Sequence, residues 1–236
     1  MHRIQISPEA RAFARAQRGG AENMFDAIDL ARTAHVVIDL QNGFMEPGAP
    51  VEVPAARDIV GNVNAISAAV RRGGGTNVFL RMTVDEASLQ SWSNWFRYFH
   101  TPGSTGSFTD SFGRGRHYWT LWPELDVQDG DVTIDKTRFG AFVPGASDLH
   151  ETLQARGIDT LIITGTLSNC CCESTARDAM QMNYKLIFVT DANAAMTDAA
   201  HNATLDNMCM IFADVRPTAE VVDVIKASAR QPQPAE

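Results

Sequence analysis

TLIITGTLSNCCCESTARDA, residues 160–179, is a short apolar run, a glycine, a polar turn, three consecutive cysteines and then small residues at helical spacing. The run Leu161-Ile162-Ile163 is too short for a solvent-facing helix and stops at Thr164-Gly165, which predicts a central strand of a parallel sheet. Ser168 and Asn169 are types that cap helices, and Cys172, Ala176, Ala179 and Met180 recur every three or four residues, so a helix is predicted to follow. One of the three thiols, in the first turn of that helix, would sit among free backbone amides that favour its ionised form.

The pattern extends in both directions. Ala34 to Leu40 is an apolar run closing on an acid, Asp39, and Asn77–Met82, Asp131–Lys136, Tyr184–Thr190 and Ile211–Val215 read as further strands. Between them, Asp58–Arg72 carries Ile59, Val63, Ile66 and Val70 on one face and ends at Gly73-Gly74-Gly75, and Ser147–Arg156 ends at Gly157. Ala199–Cys209 and Thr218–Ser228 are helical, a polar N-terminal stretch rich in Ala and Arg predicts a short helix, and Gln41 to Pro54 predicts a loop. Strands alternating with helices predict a doubly wound α/β fold: a mostly parallel sheet with helices on both faces, a Rossmann-like three-layer sandwich. Residues 1–236 read as one domain with an N-terminal arm over 1–25 and a frayed tail over 229–236. One stretch breaks the alternation. Glu86 to Trp122 is rich in aromatics, Gly and Ser, and predicts an irregular excursion that lines and covers a pocket.

With 44% hydrophobic and 20% charged residues the composition is that of a globular protein, and a net charge of −8 argues against a nucleic-acid partner. No apolar run is long enough to span a membrane and no polybasic patch suggests membrane binding. The N-terminus lacks the apolar core of a secretory leader, so the cytoplasm is the expected compartment. Four cysteines, three of them adjacent, do not form a disulfide framework, and no Cys/His spacing suggests zinc, so neither metal nor cofactor is expected. The glycines at 73–75 follow a helix and precede a strand, the reverse of the order that brings backbone amides to a phosphate.

In doubly wound sheets, ligands bind beyond the carboxyl ends of the strands, where three reactive side chains fall: Asp39, Lys136 and a cysteine of the triplet. A free thiol, with a pKa of about 8.5, is mostly protonated at neutral pH. Asp39 could take its proton while Lys136 balances charge. Thiolate attack on an amide carbonyl would create an oxyanion, for which the backbone N–H groups of Leu167 and Cys171 are the expected donors. Taken singly these residues have plainer readings: a capping acid, a solvated lysine, buried cysteines. Their coincidence at strand ends favours chemistry.

VVIDLQNGF (36–44), VTIDKTRFGAF (132–142) and ITGTLSNCCCESTARDAMQMNYKLIFVTDANA (163–194) together resemble the isochorismatase-like cysteine hydrolase superfamily. The resemblance covers about Asp29 to Ile225. It implies Asp39 as acid/base, Lys136 as the cation and Cys171 as nucleophile, with Cys170 and Cys172 at positions that are usually apolar. It also implies a cis peptide between Thr166 and Leu167. Ser168, Leu167 and Asn183 stand where the family more often has Thr, Ala and Gly.

Nicotinamidases of this superfamily carry an Asp and two His as metal ligands after the second strand, whereas LRMTVDEASLQSW (80–92) has no His. Members that cleave isochorismate lack the cysteine. The resemblance therefore implies a carbon–nitrogen hydrolase of the N-carbamoylsarcosine or ureidoacrylate amidohydrolase kind. It would act on a small amide, ureido or lactam compound through a thioester, releasing ammonia or an amine. Asn42, Phe44, Trp95, Phe139 and Leu167 are the expected pocket residues. Relatives assemble as homodimers or homotetramers, which sets the expectation for this chain. The alternatives are a streptothricin-hydrolase-like lactam hydrolase, or a non-catalytic or redox-sensing member of the fold.

Overall fold

The computed structural model describes residues 1–229; the expected tail falls almost wholly outside them. Six strands, β1 (Thr33–Ile38), β2 (Thr76–Met82), β3 (Val132–Lys136), β4 (Thr160–Thr166), β5 (Lys185–Ala194) and β6 (Asp214–Arg216), form one sheet in the order β3-β2-β1-β4-β5-β6. Every pairing is parallel. The helices are α1 (Pro8–Gln17), α2 (Asn42–Met45), α3 (Val60–Arg72), α4 (Glu86–Ser91), α5 (Ser93–Tyr98), α6 (Pro102–Phe112), α7 (Leu149–Ala155), α8 (Glu173–Gln181), α9 (Asp198–Asn207) and α10 (Thr218–Ser228). Among the described residues no helix is long and apolar enough to cross a membrane.

Alternation along the strands explains the three layers. Val37, Phe79, Ile162 and Ile187 enter one apolar cluster with Val63, Ile66 and Val70 of α3 and Val221 and Ile225 of α10. Val36, Ile38, Val78, Leu80, Leu161 and Ile163 point the other way, to Leu149, Leu153, Ala176, Ala179 and Leu205. Successive side chains of a strand face opposite sides, so a strand apolar at every position needs helices on both.

Several elements depart from the sequence reading. The aromatic stretch 86–122 is largely helical, not irregular: α4, α5 and α6 occupy most of 86–112. Reciprocal capping boxes start two of these helices, Asp85 with Ser88 and Thr101 with Ser104. Their aromatics pack on one another, Trp92 stacking on Trp95 at 4.4 Å. Short α2 forms inside the expected loop, β5 runs on past Asp191 to Ala194, and the last strand shrinks to Asp214–Arg216.

Register fixes what meets at the carboxyl edge. Ile38 of β1 pairs with Leu80 on one side and Gly165 on the other, and Met82 of β2 pairs with Lys136. The residues just beyond β1, at the end of β3 and just beyond β4 therefore converge. Gly165 makes the β1–β4 approach: its φ is +124°, and a Cβ there would lie 2.1 Å from the Ile38 carbonyl oxygen. We expect Gly165→Ala to destabilise the fold by at least ~3 kcal/mol in chemical denaturation, since clash adds to backbone strain. Gly130→Ala, at φ +97° in open space, should lose only about 1 kcal/mol for its backbone conformation.

Candidate active site

Asp39 leaves β1 with φ of 54°, in the left-handed region that Asp tolerates better than most residues. Its N–H donates to the Leu80 carbonyl at 3.1 Å, and its own carbonyl accepts from Gln41 at 2.9 Å. Gln41 ties this bend down. Its amide donates to the carbonyls of Met82 (3.0 Å) and Trp119 (2.8 Å) and accepts from the Met82 N–H (2.7 Å). The Asp39 carboxylate is thereby turned inward, without solvent exposure.

Lys136, the last residue of β3, is equally buried, and its Nζ lies 2.7 Å from Asp39 Oδ2. The ammonium also donates to the Arg138 carbonyl at 3.0 Å and rests against Met82 Sδ at 3.8 Å. Neither carboxylate oxygen of Asp39 has a well-aligned hydrogen bond, so the ammonium is its main compensation. Burial pushes the Asp39 carboxyl above the ordinary carboxylate range, with Lys136 pulling against it. For Lys136, burial acts downward, but Asp39 and then Cys171 outweigh it and the net shift is upward. The lysine stays charged.

The cysteines lie in a π-helical turn, Ser168–Cys172, that precedes α8, not in the first turn of an α-helix. Ser168 does not cap this turn; its hydroxyl is engaged by His201 at 2.7 Å. The Leu167 carbonyl accepts the N–H groups of Cys170 (3.0 Å) and Cys172 (3.2 Å), skipping that of Cys171 between them. The Thr166–Leu167 peptide is cis. Cys172 is core, Cys170 is half-buried, and Cys171 faces Asp39 and Lys136 closely enough to shift their proton affinities. A hydrogen bond with Cys170, then burial, raise the Cys171 thiol well above its ordinary value, while the same bond lowers that of Cys170. Both effects oppose the ionised thiol that a helix start would favour.

The pocket residues divide. Trp95 and Phe139 meet edge-on at 5.4 Å, Trp92 joins Phe139 at 4.9 Å, and Leu167 packs on the same apolar cluster as Trp95. Phe44 is packed on Phe112 at 4.9 Å, and Asn42 donates its side-chain amide to the His117 carbonyl at 3.0 Å. A surface cleft of about 600 Å³ along β3, lined by Asp85, Arg114 and Asp135 among others, includes none of Asp39, Lys136 and Cys171. Among the described residues no group of three or more His, Cys, Asp or Glu could hold a metal ion. Sequence reasoning missed Gln41, Met82, Ser168 and His201, whose partners are all remote in the chain.

Known proteins resemble this chain in sequence and in fold. The isochorismatase domain family matches residues 33–220. An uncharacterized isochorismatase family protein, YwoC of Bacillus subtilis, is 33% identical over 202 residues, covering 84% of this chain and 97% of that protein. Ureidoacrylate amidohydrolase RutB of Variovorax paradoxus is 31% identical over 189 residues, covering 74% and 73%. A crystal structure of a cysteine hydrolase from Pseudomonas syringae pv. phaseolicola superposes with a TM-score of 0.74 at 28% identity, covering 87% of this chain and 97% of the other.

The buried pair makes a prediction about stability. Removing one partner of such a pair costs about 3–5 kcal/mol, because the other charge is left buried. Asp39→Asn should show that loss, and Asp39→Asn/Lys136→Met should recover part of it. In Lys136→Met, Asp39 loses its counter-charge and its folded pKa rises further above the unfolded value of about 3.9. A raised folded pKa retains stability at low pH and loses it as pH rises, so urea midpoints of this variant should fall relative to the parent from about pH 4 upward.

Proposed function

The chain belongs to the isochorismatase family of hydrolases, and from that premise we propose that it is a cysteine amidohydrolase cleaving a carbon–nitrogen bond in a small amide or ureido compound. Asp39, Lys136 and Cys171 are its catalytic residues in this reading. The observation that carries it is the fully buried Lys136–Asp39 pair at 2.7 Å, set against the Cys171 thiol. The relatives named as a ureidoacrylate amidohydrolase and a cysteine hydrolase point to the same chemistry.

Attack begins with Cys171 Sγ forming a bond to the substrate carbonyl carbon as its proton passes to Asp39. One buried negative charge moves from carboxylate to sulfur and then to the carbonyl oxygen, always beside Lys136, and no new charge is created in the interior. The oxyanion takes hydrogen bonds from the N–H groups of Leu167 and Cys171. Asp39 returns its proton to the leaving nitrogen, the carbon–nitrogen bond breaks, and a thioester remains. Water then attacks the thioester carbon, giving a proton to Asp39; the carbon–sulfur bond breaks and the proton returns to Cys171. A redox sensor would need the thiol but not a buried ion pair facing it. Trp95 and Phe139, in edge-on contact, are suited to the non-reacting apolar part of the substrate, with Leu167 also expected to line the pocket, and the chain is expected to act as a homodimer or homotetramer.

Ammonia release from a panel of carbamoyl, ureido and lactam compounds tests the reading. Cys171→Ala should reduce turnover by on the order of 10³-fold or more without moving the thermal midpoint; retained turnover would sink the assignment. The carboxylate form of Asp39 is required, and burial raises its pKa. The acid limb of kcat/KM should therefore be centred above the ~4 of an ordinary Asp, with activity falling about tenfold per pH unit below it.

A further inference from the structure

His201, on α9, has no solvent exposure and plays no part in the chemistry above. Its Nε2 lies 3.0 Å from the Thr190 carbonyl oxygen, which can only accept, so the ring proton sits on Nε2. Nδ1 is left as the acceptor, and the Ser168 hydroxyl, 2.7 Å away, donates to it. Burial first, then neighbouring His2, push the imidazole down to about 4, which keeps it neutral in this tautomer. Thr190 belongs to β5 and Ser168 opens the π-helical turn, so one ring bridges the rigid sheet to the segment that presents Cys171.

The N-terminal arm covers this bridge. The His2 ring stacks on His201 at 4.5 Å with the planes 15° apart. The Ala195 N–H donates to His2 Nε2 at 2.9 Å, leaving Nδ1–H to donate to Asp198 at 2.8 Å. Along one face of α9, Asp198, Asn202 and Asp206 accept in turn from the N–H groups of Arg3 (3.3 Å), Gln5 (3.0 Å) and Ser7 (2.7 Å). Asn202 also donates to the Arg3 carbonyl at 3.0 Å. Residues 2–7 are a strap laid over the helix that carries the histidine.

We propose that His201 is a positioning residue that fixes Ser168, and with it the turn presenting Cys171, and that the strap of residues 2–7 holds this lock closed through His2. The proposal rests on Cys171 being the nucleophile. Small displacements of a reacting group cost rate steeply, on the order of 10²-fold for 1 Å, so a turn free to shift would lower kcat more than substrate affinity.

The test uses the full chain and the variants Ser168→Ala, His201→Asn, His201→Gln and His2→Ala. Three quantities are read: kcat and KM on a ureido substrate, the rate at which iodoacetamide alkylates Cys171 as localised by tandem mass spectrometry, and the thermal midpoint. Ser168→Ala, which removes one hydroxyl and no packing framework, should lower kcat and Cys171 alkylation each by ~10-fold or more, with KM within about threefold. Asn places a carbonyl oxygen near the former Nδ1 and keeps an acceptor for Ser168, whereas Gln keeps only the donor towards Thr190. His201→Asn should thus retain several-fold more kcat than His201→Gln. His2→Ala should lower both rates by a smaller factor. Unchanged kcat and alkylation in Ser168→Ala, or equal losses in the two His201 variants that follow their thermal midpoints, would overturn the lock. Unchanged rates in His2→Ala alone would remove the strap's part. Should the parent protein turn over no amide, the functional reading fails, while the alkylation rates still decide the lock.

Discussion

Two opposite charges, Lys136 and Asp39, lie 2.7 Å apart and inaccessible to water where the ends of the strands meet. A buried ion pair adds little net stability, because desolvation consumes most of the Coulombic gain. Stability is therefore a weak reason for such a pair at the sheet's carboxyl edge, whereas the proposed reaction needs both charges. The sheet supplies the pair by placing the ends of β1 and β3 at one level across β2, and the left-handed turn at Asp39 rotates the carboxylate toward the lysine. In the proposed reaction a thiol delivered beside them is ionised by shifting a proton over a short distance inside a site whose net charge stays the same.

The strands and their convergent carboxyl ends were legible in the sequence because they rest on local patterning. Apolar runs ending near Asp39 and Gly165 announce buried parallel strands, the Gly-Asp turn before 131–136 announces the shorter one that ends at Lys136, and parallel strands bring their ends together. Choosing Cys171 among three thiols was not a matter of pattern; the flanking motif selected it. The helices of residues 86–112 were not legible, because Gly, Ser and aromatic residues have weak helix propensity. Capping boxes and the packing of Trp92, Trp95, Phe96 and Phe108 supply what propensity lacks. His201 lay beyond reach for another reason: its partners, Ser168 and Thr190, come from other elements and are adjacent only in the finished fold.

These differences separate a part of the molecule set by strand pairing from one set by side-chain packing. Asp39 and Lys136 are held by backbone pairing to β2, and Gly165 by an approach to Ile38 too close to admit a side chain. The aromatic wall sits on short helices inserted between β2 and β3, the edge strand of the sheet. Side chains there pack on one another, and Phe96, Phe108 and Phe112 also enter the core cluster that holds Val37 and Phe79 of the sheet.

The π-helical turn at 168–172 has a consequence for how the proposed nucleophile tolerates insertion and deletion. Such a turn holds one residue more than an α-helical one. A one-residue deletion that relaxed it would rotate the chain by ~100° and carry a neighbour into the place of Cys171. In most sequences that step exchanges the thiol for an inert side chain. Here both neighbours are cysteine, so sulfur would face Asp39 and Lys136 after a slip in either direction.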